Sequence, residues 1–191
     1  MTDNSGSGSE ERQPSAKSRR VNIGVTTAIA VILVALVITL IVLFFVVTPY
    51  VVSGESMMPT LQDGDHIMVR KVGFTIERGD IILFDRPNAE YPPVKRVIAV
   101  AGDTVRFNGE TWVVNGEALE EDYVLQTVYE SDYVSPFNCD STEIYEMITN
   151  GFTLGEGELF VLGDNRNNSY DSHNYGAILS DWVIGKVVNV Y

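Results

Sequence analysis

Between Asn22 and Thr48 the chain carries no charged residue. The centre of this run, Ala28 to Phe45, is apolar on every face. A bilayer core of about 30 Å needs about 20 apolar residues, and this stretch exceeds that. Its many β-branched residues disfavour a helix in water. In lipid, however, a lone span must satisfy its own backbone groups, and only a helix does so. The run therefore predicts a membrane anchor over 22–48. A cleaved signal peptide is the competing reading, but its apolar region would be about half as long and would end in small residues. Here the run ends in Phe44-Phe45-Val46-Val47-Thr48-Pro49-Tyr50. Lys17, Arg19 and Arg20 flank its start and predict a cytoplasmic N-terminus.

The anchor divides the 191 residues into unequal parts. Residues 1–21 are mostly Ser, Gly and charge, too polar to bury a core, and read as a disordered cytoplasmic tail. Residues 49–191 have the length of one ordinary domain, on the outer side of the membrane. Residues 1–20 carry a net charge of about +1, so the rest carries about −14. That balance excludes a nucleic-acid partner, which needs a basic face. The single cysteine, Cys139, cannot form an internal disulfide.

From Tyr50 onward the pattern changes to short β-branched runs punctuated by turn residues. Strands are predicted near 50–53, 66–72, 80–84, 94–101, 104–107, 111–114, 158–162 and 182–190. Asn108-Gly109 and Asn115-Gly116 have the composition of tight hairpin turns. No later segment shows a long 3.6-residue period. The fold class is mostly β, a twisted antiparallel sheet behind a single transmembrane helix. One excursion, 117–157, is too long for a bare loop and should hold small elements of its own. Its tyrosines read as local packing.

Three clusters could carry chemistry. Ser56 lies in Ser53-Gly54-Glu55-Ser56-Met57-Met58-Pro59-Thr60-Leu61, just past the anchor. A serine hydroxyl needs a neighbour to take its proton. His66 and His173 are the only histidines. His66 starts a strand and suits a surface or packing role, whereas His173 sits in a polar cluster. A lysine can also serve, if neutral. At an ordinary pKa of about 10.4, only about one lysine in 2,500 is neutral at pH 7, and burial raises that fraction. Lys95 sits among Val94, Val97, Ile98 and Val100, a setting suited to desolvation, although a lysine at a strand edge also guards against aggregation. The third cluster, Gly163 to Gly176, packs Asp, Asn, Arg, Ser and His closely. It reads either as a polar surface loop or as a network supporting a neighbouring site.

Taken together, the chain resembles the type I signal peptidases, membrane-anchored Ser-Lys proteases that remove signal peptides from exported proteins. Residues 53–61 resemble the family's nucleophile box. Lys95-Arg96-Val97 with Ala101-Gly102-Asp103 resembles its lysine box. Gly163-Asp164-Asn165-Arg166-Asn167-Asn168-Ser169 with Asp171-Ser172 resembles its C-terminal box. The resemblance implies Ser56 as nucleophile and Lys95 as general base. It implies Ser169 as a partner orienting the amine, Asp171 and Arg166 as supports, and Asp164 paired with Arg96. The Ser56 N–H would contribute to an oxyanion hole. Substrate would bind extended, by strand addition, with small side chains entering pockets near Met57, Leu61, Val94 and Gly54. Val51 and Val52 would either rest on the membrane or pack as strand residues. No cofactor or metal is required. Expected partners are signal peptides and the lipid bilayer, beside the protein-export channel, with the enzyme monomeric.

Several positions depart from the family pattern. Gly54 stands where some members have an oxyanion-assisting serine, as in the Gram-positive-like branch. His173 stands where an arginine is usual, which leaves the partner of Asp171 in question. Asn167 and Ala101 replace the usual Asp and Pro. Lys95, where eukaryotic-type relatives have His, favours the bacterial type. Three alternatives stay open. They are a Ser-Lys processing protease with a narrow substrate set, a non-enzymatic single-span β ectodomain, and a cytoplasmic Ser-Lys autoprotease. The anchor and the lack of a DNA-binding segment count against the last.

Overall fold

The structure, a computed structural model, describes residues 16–124, 129–130, 133–135 and 138–191. The first part of the expected tail, 1–15, lies outside the described residues, as do short pieces of the 117–157 excursion. The chain divides after Phe44 into two compact units.

In the first unit, helix α1 runs Ala16–Val46. It starts six residues inside the segment read as a disordered tail, which corrects that reading over 16–21. Ala16, Lys17, Arg19 and Arg20 are good helix formers and extend the helix past the apolar run. It ends two residues before Thr48, because Pro49 disfavours a helical conformation at the residue before it. Among the described residues, Gly24–Val42 is long and apolar enough to cross a membrane. Its 19 residues span about 28 Å at 1.5 Å each. Val31 and Ile32 on this helix are each 66% exposed. Thr39 donates to the Ala35 carbonyl, so its hydroxyl is satisfied within the helix.

The second unit is built from β1 (Val47–Val51), β2 (His66–Arg70), β3 (Ile81–Phe84), β4 (Val94–Val100), β5 (Thr104–Phe107), β6 (Trp112–Val114), β7 (Glu117–Ala118), α2 (Thr142–Asn150), β8 (Phe152–Thr153), β9 (Glu158–Leu162), α3 (Ser172–Tyr175), β10 (Ile178–Leu179) and β11 (Val183–Val190). The larger sheet has the order β1-β2-β11-β3-β4-β9-β10 and the smaller β7-β6-β5-β8. Every pairing is antiparallel. The mostly-β class therefore holds, and β7, β8 and β10 are strands that the sequence reading had not separated. At Asn115-Gly116 both residues have positive φ, as a tight hairpin turn requires. At Asn108-Gly109 only the glycine does. There the Asn108 side chain accepts from the N–H groups of Glu110 and Thr111 and closes the turn itself.

Three apolar clusters hold the unit together. One, under the smaller sheet, gathers Phe107, Trp112, Ile148 and Phe160 with Tyr133 from the excursion. A second packs Met57 and Leu61 on Val52, Ile67, Val69 and Leu83. The third sits between β3, β4 and β9, around Ile82, Val97 and Val161. The excursion supplies α2, capped by the Ser141 hydroxyl accepting from Ile144 N–H. With only nine residues, α2 is too short to impose a long helical period on the sequence.

Candidate active site

Register brings the three clusters together. Lys95 and Arg96 are neighbours near the start of β4, where Lys95 lies opposite Ile82. Arg96 lies opposite Leu162, the last residue of β9. Residues 163–166, which follow β9, therefore emerge beside Arg96. The turn carrying Ser56 lies between β1 and β2 and docks on the same place. Asn165 N–H donates to the Ser56 carbonyl at 3.0 Å.

Lys95 Nζ lies 2.7 Å from Ser56 Oγ. Its other contact is the Val94 carbonyl at 3.1 Å. Lys95 is 4% exposed. Burial pushes the amine below its ordinary value, and the Asp171 and Asp164 carboxylates offset this only in part. A neutral amine at this distance can accept the Ser56 proton, which is the geometry that general-base activation requires. Ser56 N–H donates to nothing among the described residues.

The supporting residues form two groups. Arg96 donates through Nε and Nη2 to both oxygens of Asp164, at 2.8 and 2.6 Å, with its guanidinium over the Tyr123 ring. Thr60, in the Ser56 turn, donates to Asp164 Oδ2 at 2.5 Å. Asp164 thus ties the turn to β4. The other group centres on Asp171, which is fully buried. It accepts from Gly163 N–H, Ser169 Oγ and the His173 backbone N–H. Its Oδ1 lies 2.7 Å from His173 Nδ1. Burial would raise this carboxyl, but His173, Ser169 and Gly163 together hold it below the ordinary range. The partner of Asp171 is therefore His173. With Asn138 Nδ2 donating toward His173 Nε2, Nδ1 is the protonated nitrogen facing Asp171.

Several expected placements differ. Ser169 does not hydrogen-bond Lys95. Its one hydroxyl proton goes to Asp171, because a carboxylate is the stronger acceptor. Arg166 reaches away from Asp171 and binds the Gly163 carbonyl, Tyr129 Oη and the Glu121 carboxylate. Glu121, Tyr123 and Tyr129, in the excursion whose tyrosines read as packing, were missed as site residues, and Asn165 stood in the third cluster without a role of its own. An open groove of about 380 Å³ beside Ser56 and Lys95 is lined by Met57 and Val94, with Tyr50, Val51, Val52 and Tyr91. Leu61 is not in its wall, being fully buried in the core beneath. Gly54 is not in its wall either, and its N–H is held by Asp63. Gly163 is required by close approach. A Cβ there would sit 2.2 Å from Ser169 Oγ and 2.4 Å from the Ser56 carbonyl oxygen.

Residues 25–191 match the family model described as signal peptidase, peptidase S26. The chain belongs to this family. It is 38% identical over 162 residues to signal peptidase IB of Staphylococcus aureus (strain COL), covering 82% of this chain and 83% of that protein. It is 34% identical over 168 residues to a probable signal peptidase I-1 of Synechocystis, covering 82% and 77%. A solved signal peptidase I structure from Enterococcus faecalis V583 aligns at 33% identity and a TM-score of 0.48, over 60% of this chain and 98% of that one.

Proposed function

We propose that this chain is a membrane-anchored signal peptidase I that removes N-terminal signal peptides from exported preproteins through a Ser56-Lys95 dyad. The observation that carries the reading is the 2.7 Å contact between a serine hydroxyl and a buried lysine, on a chain of this family. Ser56 Oγ attacks the scissile carbonyl carbon and its proton passes to Lys95 Nζ. The carbonyl oxygen, now negative, is received by the free Ser56 N–H. Lys95 then protonates the leaving amine. In the second half Lys95 takes a proton from water as the water oxygen attacks the acyl carbon; the acyl C–Oγ bond then breaks and Lys95 returns the proton to Ser56 Oγ.

The groove supports an extended substrate. β1 is an edge strand, so a peptide can add to it by backbone pairing. The groove floor beside Ser56 includes Met57, Ile67 and Leu83, an apolar lining suited to small side chains at −1 and −3. Lys17, Arg19 and Arg20 favour a cytoplasmic N-terminus, with 49–191 as the catalytic domain outside. Preproteins emerging from the export channel would meet it there.

The test is cleavage of a preprotein with an Ala-X-Ala site. Ser56→Ala and Lys95→Ala should each abolish cleavage while the protein remains folded. Activity retained in either variant overturns the dyad.

A further inference from the structure

Both peptide groups flanking Ser56 are held by one residue, Asn165. Its backbone N–H donates to the Ser56 carbonyl at 3.0 Å. Its Nδ2 donates to the Glu55 carbonyl at 3.1 Å. The Glu55 carbonyl and the Ser56 N–H belong to the same planar trans peptide and point in opposite directions. Whatever fixes that carbonyl fixes that N–H. The Ser56 N–H is also the group left without an acceptor among the described residues.

The Glu55 carbonyl has a second donor, Met58 N–H at 3.1 Å. That bond is internal to the turn and moves with it. Asn165 instead is the third residue after β9 and is itself buried, at 4% exposed. Among the described residues, its bonds are the ones that tie this peptide plane directly to the segment leaving the sheet that carries Lys95. Glu55 is exposed, so water would compete for its carbonyl if Asn165 let go. The close approach that Gly163 permits, with the Ser56 carbonyl oxygen where a side chain would begin, seats the turn against this residue. The amide is used one-sidedly, for Oδ1 is buried without a partner. What the site takes from Asn165 is its donors.

We infer that Asn165 is the positioning residue that aims the oxyanion donor, holding the Ser56 N–H in place before substrate arrives. With Gly54 offering no hydroxyl, this one backbone donor carries that task. The inference rests on Ser56 being the nucleophile.

The test pairs kinetics with two ligands built on one substrate sequence. A peptide aldehyde accepts Ser56 Oγ at its carbonyl carbon. The π pair becomes the oxyanion, and the hydroxyl proton passes to Lys95. The matching peptide amide binds without reacting. Losing an oxyanion donor outright costs about 100- to 1,000-fold in kcat. Misaiming one should cost less, so Asn165→Ala should lower kcat about 10- to 100-fold with KM within about twofold. Aldehyde affinity should fall in parallel while amide affinity stays unchanged. Asn165→Asp, of the same shape without the donor, should repeat the split, and serves if the alanine variant does not fold. An unchanged kcat, or an equal loss of both ligands, overturns the inference. If Ser56→Ala keeps activity, the nucleophile reading itself fails. If Ser56→Ala is dead and Asn165→Ala is normal, only the positioning role falls.

Discussion

Lys95 and Asp171 are both buried, yet the protein treats their charges in opposite ways. Lys95 comes from the strand side of the site, with Val94 before it and Val97 and Ile98 after. Its hydrogen bonds go to a neutral hydroxyl and a carbonyl. Burial outweighs the pull of the Asp171 and Asp164 carboxylates there, and the amine is pushed down. Asp171 comes from the loop side, with the N–H groups of Gly163 and His173, the Ser169 hydroxyl and the His173 ring around it. Compensation wins there, and the carboxyl is held low. Asp164, buried on the same side, is paired with Arg96 and bound by Thr60. A charge left unpaired at equal depth is costly to fold and useful to chemistry, whereas a paired one is a structural strut.

The comparison breaks most visibly at Lys95. Lys95→Met should lower cleavage at least about 1,000-fold, the scale of a lost general base. The same variant should melt higher than the parent at neutral pH, because an apolar side chain replaces a desolvated amine. A fall in melting temperature would show that the lysine is compensated after all.

Arg96→Met tests the paired side. It leaves Asp164 buried and unpaired, which should cost about 3–5 kcal/mol in denaturant unfolding. The double variant Arg96→Met with Asp164→Leu should recover much of that loss, since replacing both members of a buried pair is far cheaper than removing one. Equal destabilisation in the single and double variants would mean that the ion pair is not the strut.

The smallest effect concerns pH. Lys95 must be neutral to act, so activity should rise with pH along an acid limb set by its lowered pKa. Asp171 pulls that value back up. Asp171→Asn should therefore move the limb to lower pH in a kcat/KM profile. Stability should follow the same sign at Lys95. The folded protein binds this proton less readily than the unfolded chain, so stability rises with pH between the lowered value and the unfolded value of about 10.4. At Asp171 the contribution is present above the unfolded value of about 3.9 and is lost as pH falls through the lowered one.

Much of this was legible before any coordinates. An uncharged apolar run longer than a bilayer reports itself, because lipid solvation depends on composition and length alone. Strands announced by β-branched runs lie near their expected positions, and Ser56, Lys95 and the 163–173 cluster stood out as local groups. The helix start at Ala16 was less legible, since good helix formers carry α1 into a polar segment that hydropathy assigns to a tail. Arg166 shows a different limit. It was expected to act beside Asp171, but its carboxylate partner is Glu121, 45 residues away within the excursion.

The sequence alone determined the long apolar helix, the β class and the chemical types available at the site, because each depends on composition or short-range spacing. Tertiary structure decided which of those groups meet. The opposition of Ile82 to Lys95 and of Arg96 to Leu162 is a matter of strand register, which is chosen by packing across the sheet. Register and the docking of the Ser56 turn on Asn165 bring a hydroxyl 2.7 Å from an amine 39 positions along the chain. They also bury that amine deeply enough that desolvation outweighs the nearby carboxylates, and its lowered pKa follows from that burial.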